Sequence, residues 1–262
     1  MPHAPHRWPG QFFISLGRAL YIGPAFDTTL HAHHAIQVCV GLDRSFRLRC
    51  QPRAPWRRYG GVVIGSDHPH ELASGGHAVA LFYIEPEGED GRTLGPATSE
   101  TPVRALPGRL VAGLRAVIAE RADPQLDPAA ATRLFGEVVE RLGLTVASRP
   151  PLDPRVAAAV RALRSVRANY PTSRDLALSV GLSASRLRHV FAAQIGMSFR
   201  RYILWLRLYA VLEALLAGAP LTTASHAAGF ADSAHLSRTF RRMFGIVPSA
   251  VPQITRLLPA NA

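Results

Sequence analysis

His235, Arg238 and Arg242 stand at i, i+3 and i+7 in the segment "GFADSAHLSRTFRRMFG" (Gly229 to Gly245), whose apolar residues Leu236, Phe240 and Met243 follow the same helical period. A guanidinium offers a planar fork that matches O6 and N7 of guanine, and His or Ser donates or accepts at base edges. The segment has a twin. "VGLSASRLRHVFAAQIG" (Val180 to Gly196) aligns Leu187 with Leu236, Phe191 with Phe240 and Gly196 with Gly245 at an offset of 49, and Gly181 with Gly229 at 48. Its outward residues are Ser185, Arg188 and His189. One such face alone reads as a solvated helix surface; two copies in one basic region point to DNA.

A second group has different chemistry. His31, His33 and His34 lie within four residues, and His68 and His70 follow in "GSDHPHEL". Imidazoles at this density can ligate a transition metal. They can equally form hydrogen bonds at strand ends or line a pocket, which is the reading preferred here.

The twin segments need a scaffold that presents one face and buries the other. In each copy a short helix ("SRDLALSV", then "TTASHAA") ends at a glycine able to take the left-handed conformation. A tight turn and a capping residue follow (Ser183, then Asp232 or Ser233). A second helix then places Leu and Phe inward at i and i+4. This is the grammar of a helix-turn-helix, whose second helix enters the major groove. "FRRYILWLRLYAVLEALLAG", Phe199 to Gly218, joins the copies as one continuous helix, which sets the readers about 34 Å apart, one turn of DNA. Arg200 and Arg201 near its start are expected phosphate contacts. The apolar run Tyr202 to Leu221 contains Arg207 and Glu213, which favours a buried helix over a membrane span.

Charge follows the same division. Residues 1–150 hold 16 Arg against 14 acidic residues, whereas residues 151–262 hold 14 Arg against 4. A strongly basic half beside a near-neutral one implies a polyanionic partner for the basic half. Mean hydropathy near zero (+0.08) describes a globular chain long enough for two cores. Cys39 and Cys50 are too few for a disulfide framework and lack zinc-ligand spacing, so both read as buried free thiols. No adequate leader is read at the N-terminus, and the chain is expected to be cytoplasmic.

Up to about Glu85 the runs "AIQVCVGL", "GGVVIGS" and "AVALFYIE" predict short strands of a small sandwich or barrel. Glu85 to Pro102 reads as a polar loop. Two amphipathic helices follow within 107–143, with Asp127 as an N-cap; their stripe of Phe135, Val138 and Leu142 could cover the sheet or pair two subunits. "TVASRPPLDP", Thr145 to Pro154, marks a boundary, and Asp153 caps the first of the helices beyond it.

The region from about Asp153 to Pro252 resembles the DNA-binding domain of the AraC/XylS family of bacterial transcription regulators. "GFADSAHLSRTFRRMFGIVPSAV" carries the match, supported by "LSASRLRHVFAAQIGMSFRRYI" and "LRLYAVLEALLAG". The resemblance implies two helix-turn-helices with recognition helices at Ser183–Gln194 and Ser233–Met243. Base-reading positions would fall on Ser185, Arg188 and His189, and on Ala234, His235 and Arg238. Ala224 and Ser225 stand where the family has an Ile-Ala pair, and Val251-Pro252 replaces its aromatic-Arg ending. The first half is similar to the cupin-like effector domain of such regulators. His31 and His33 match a cupin's H-x-H pair, and Gln37 takes the place of the Glu ligand, which implies a non-catalytic relative holding no metal.

The expected architecture is α+β. A cupin-like β-barrel with a helical hairpin (1–146) senses an effector, and an all-α domain (153–252) carries two helix-turn-helices joined by a central helix. The expected function is a sequence-specific DNA-binding transcription regulator, not an enzyme, with no cofactor. Its partners are double-stranded DNA, a small-molecule effector around His31, His33, Gln37 and His70, RNA polymerase if it activates, and a second copy through helices 107–143. Arg186 and Arg242 complete the expected DNA contacts. The competing readings are a metal-dependent cupin enzyme with a basic helical tail and a non-specific nucleic-acid binder.

Overall fold

The computed structural model describes residues 10–15, 17–122, 126–143, 150–251 and 256–258. Thr145 to Arg149 of the boundary segment, and Pro252, lie outside this set. The chain divides into two compact units, 1–149 with 238–262, and 150–237.

The first unit is built on two sheets. Strands β1 (Gln11–Ser15), β2 (Arg18–Pro24), β3 (Ile36–Gly41), β6 (Gly61–Ile64), β8 (Ala78–Ile84), β9 (Val103–Ala105) and β10 (Arg256–Leu258) form one, in the order β10-β1-β2-β8-β3-β6-β9. Strands β4 (Phe46–Arg49), β5 (Arg57–Tyr59) and β7 (Glu71–Ala73) form the other, in the order β5-β4-β7. All pairings are antiparallel except β1 with β10. No closed barrel is found among the described residues. Among the described residues the strands of the small sheet, three or four residues long, pair with no strand of the large one, and three-residue strands end the large one.

Strand β3 is buried along its whole length, which is why its sequence is nearly continuous in apolar residues. Side chains alternate along a strand. Ile36, Val38 and Val40 therefore enter the main core, while Cys39 joins Phe46, Leu48, Val62, Ile64 and Leu72 in a smaller one. Gln37 is on the Cys39 side.

Helices close the main core. The segment read as a polar loop forms α1 (Glu89–Glu100). Glu89 and Asp90 complement the helix dipole in its first turn, and Leu94 and Ala97 are fully buried; this two-residue apolar contact was too sparse to register as a helical stripe. Helices α2 (Gly108–Arg121) and α3 (Pro128–Leu142) follow, the latter capped by Asp127, whose side chain accepts from Ala130 N. Leu134, Phe135, Val138 and Leu142 lie in the main core, with the Phe135 ring edge-on to Phe82 at 5.6 Å. The stripe that could have paired two subunits is thus consumed within one chain.

The second unit is helical: α4 (Pro154–Arg164), α5 (Ser173–Ser179), α6 (Ala184–Ile195), α7 (Phe199–Leu216), α8 (Leu221–Ala227) and the start of α9 (Ser233–Phe244). Asp153 caps α4 as expected, accepting from Arg155 N. Helix α7, 18 residues and about 27 Å long, is continuous. Tyr202 of α7 meets Phe191 of α6 at 5.3 Å, and its hydroxyl accepts from Arg164 Nε. No helix among the described residues is long and apolar enough to cross a membrane.

Candidate nucleic-acid interface and histidine cluster

The two turn-and-helix copies have the layout their sequences predict. Gly181 (φ 67°) and Gly229 (φ 75°) both adopt the left-handed conformation that lets a helix end and turn sharply. In the first copy Ser183 accepts from Arg186 N and starts α6. In the second, Asp232 accepts from His235 N at 2.6 Å. Leu187 and Phe191, and Leu236 and Phe240, are all buried.

The opposite faces are exposed. Ser185, Arg186, Arg188 and His189 are solvent-facing on α6, as are Ala234, His235, Arg238, Arg241 and Arg242 on α9. Arg200 and Arg201 are exposed at the start of α7. His235 rests against the Phe230 ring (5.6 Å, edge-on), which limits its freedom. Arg188 reaches Ser173 Oγ with Nη1 (3.3 Å) and shares with Arg200 and Arg207 the lining of a cavity of about 540 Å³. The predicted base contact Arg188 and phosphate contact Arg200 thus lie around one concavity within the second unit. Ala224 and Ser225, the small pair on α8, are both buried, and Ser225 Oγ has no hydrogen-bond partner.

In the first unit, strand-like alternation sorts the histidines. His31 and His70 face one another in an isolated antiparallel bridge (N···O 3.0 and 2.8 Å). His33 points to the same side, and one nitrogen from each of the three rings lies within 4.8 Å of the others, all three buried. Gln37 Oε1 is 2.9 Å from both His33 Nε2 and His70 Nε2. Burial lowers all three imidazoles, reinforced for His31 by His33 and for His70 by both neighbours. His31 falls to about 3 and His70 well below its usual value, so all are neutral at pH 7.

His34 points the other way and has the opposite electrostatics. Its Nε2 meets Glu87 at 2.8 Å with both side chains 1% exposed, and its Nδ1 is 3.9 Å from Asp67. Burial opposes the charge on this ring, but Glu87, Asp67 and Glu85 outweigh it and raise the imidazole to about 9. Nothing local in the sequence pairs residues 34 and 87. His68 stays outside the cluster and contributes only its carbonyl, 2.9 Å from His70 Nδ1. Cys39 is a buried free thiol and Cys50 a partly buried one, both pushed up by burial.

Residues 176–253 match the helix-turn-helix domain family HTH_18. Over most of its length the chain has the fold of ToxT from Vibrio cholerae. The apo K231A form of strain SCE256 superposes with a TM-score of 0.60 at 12% identity, covering 92% of this chain and 98% of that one. The unsaturated-fatty-acid-bound wild-type protein gives 0.51 at 11%, covering 90% and 94%. The helix-turn-helix domain at residues 176–253 is of the AraC type. No curated protein sequence matches it.

The residues expected to contact bases and phosphates lie on α6, α7 and α9, all of them exposed. All four residues expected to line the effector pocket come together, although they span positions 31 to 70. Sequence reasoning missed the backbone carbonyls that hold the rings, because every hydrogen-bonding residue offers the same carbonyl group.

Proposed function

We propose that this regulator reads operator DNA with α6 and α9 in adjacent turns of the major groove. Ser185, Arg188 and His189 would read one site, and Ala234, His235 and Arg238 the other. Arg186, Arg200, Arg201 and Arg242 would hold phosphates. The observation that carries this reading is the pair of exposed polar faces, each backed by a buried Leu–Phe pair. On this reading residues 153–252 are the DNA-binding domain, and residues 1–146 are a cupin-like sensor whose pocket centres on His31, His33, Gln37 and His70. The shared fold supports a small-molecule effector, since one of the solved ToxT structures contains an unsaturated fatty acid. The protein acts in the cytoplasm and binds rather than catalyses. RNA polymerase is its further partner where it activates. A homodimer through 107–143 would use the outer faces of α2 and α3, because the inner stripe is in the core.

Binding-site selection on wild type and variants tests the reading. Arg238→Ala is expected to cost about 1–3 kcal/mol and relax the preference at particular base pairs. Arg242→Ala is expected to weaken all sequences alike and lower the salt slope by about one. An unchanged selected motif for Arg238→Ala would remove α9 as a reader.

A further inference from the structure

Residues 44–58 hold six arginines and no acidic residue, although they belong to the near-neutral half of the chain. The small sheet brings several of them together. Strand alternation sends Phe46 and Leu48 into the smaller core and turns Arg47 to solvent. The register then sets Arg47 directly opposite Arg58 on β5, with Ala73 of β7 on its other side. Like charges directly opposite one another destabilise a strand pair. Arg49, two residues on, is neutralised by Glu71 at 2.6 Å and lies over the Trp56 ring at 4.5 Å. Arg44, Arg47 and Arg58 have no carboxylate within ion-pair distance among the described residues.

These three guanidinium groups and His77 border a cavity of about 480 Å³, which is also lined by the small, buried Ala73. Arg47 is held in place there, its guanidinium 5.5 Å from the centre of the Trp56 ring. Asp43, beside the cavity, pairs with His77 at 3.4 Å and not with an arginine. We infer that this cavity is a binding site for a small phosphorylated ligand, its phosphate held by Arg44, Arg47 and Arg58. Guanidinium forks match phosphate oxygens two at a time, and a dianionic phosphate monoester answers three uncompensated charges better than a single carboxylate does. Such an anion would also relieve the repulsion between Arg47 and Arg58. The volume lies in the range of small-molecule pockets, which leaves room for an organic group beyond the phosphate. Charges gathered around one concavity favour a small ligand over the extended backbone of duplex DNA. The site shares no residue with the histidine cluster.

The test titrates the full chain with phenyl phosphate, and separately with benzoate, in a calorimeter at constant ionic strength. One saturable phenyl phosphate site per chain is expected, with benzoate binding more weakly. Arg47→Gln and Arg58→Gln change exposed side chains, so both variants should fold, and each should weaken phenyl phosphate binding at least about tenfold. Arg238→Ala, on the reading helix α9, should leave that binding unchanged. Folded wild-type protein without saturable uptake, or uptake equal in wild type and both sheet variants, would overturn the site. A protein that ignores phenyl phosphate, yet loses affinity for a non-operator duplex on Arg47→Gln and Arg58→Gln, would also overturn it. The face would then be a contact for the DNA backbone.

Discussion

The histidine cluster and the reading helices are built on opposite physical terms. In the cluster, polar groups are buried, neutral and fixed by backbone carbonyls spread from Thr29 to His68. On α6 and α9 the working groups are exposed cations and small polar side chains, and their positions come from the residues behind them. A buried site has to settle each lone pair internally, because leaving one unmet is costly. An exposed one leaves its charges to water until a polyanion displaces it. Substitutions should therefore damage the first through the fold and the second through binding alone.

The largest expected effect tests whether the α3 stripe is core. Val138→Glu places a carboxylate at a fully buried position, so the protein should fail to accumulate as a folded species, read by soluble yield and circular dichroism. A folded monomer from this variant would return the stripe to a subunit interface. Next in size, Phe191→Ala removes a buried ring packed on Phe199 and Tyr202 and should cost about 3–5 kcal/mol in denaturant unfolding. Three residues earlier, Arg188→Ala should change stability by less than about 0.5 kcal/mol while weakening operator binding. Equal stability losses in the two variants would break the contrast between support and face.

pH sharpens the contrast from the other side. His34 is raised to about 9, so its contribution is fully present below an unfolded value near 6.5 and is lost as pH rises through about 9. His31, His33 and His70 are depressed, so theirs is present above about 6.5 and is lost as pH falls, for His31 down to about 3. Stability should peak near pH 6.5, and His34→Gln should flatten the alkaline side only. An alkaline limb unchanged in His34→Gln would remove the buried His34–Glu87 pair as its cause.

The smallest effects separate the two turn-and-helix copies. The first copy opens on a capping box in which Thr172 and Asp175 satisfy each other's backbone N–H, whereas α8 begins at Pro220 with no side-chain cap and buries an unpartnered Ser225 hydroxyl. Thr172→Ala should cost about 1 kcal/mol. Ser225→Ala should be neutral or stabilise by up to about 1 kcal/mol, because it removes a buried group with no partner. Thermal unfolding of the two variants reads the opposite signs, and a clear loss for Ser225→Ala would mean its hydroxyl is satisfied.

Much of this molecule is legible in its sequence. The duplicated glycine-turn-helix, the caps Asp127, Asp153, Ser183 and Asp232, and the inward Leu–Phe pairs depend on neighbours within one or two turns, where periodicity and capping chemistry act directly. The runs that became β3, β6 and β8 were legible for the same reason. Tertiary structure decided the rest. Helix α1 forms where composition reads as loop, because burial of Leu94 and Ala97 outweighs a sequence rich in glycine. Among the described residues the strands form two sheets with no closed barrel found, because pairing is a choice among distant segments that local pattern does not rank. The convergence of His31, His33 and His70 on Gln37, and the separation of His34 toward Glu87, follow from strand alternation and long-range register. A single residue's shift would exchange the two sides, so only the folded chain determines which histidines share a site.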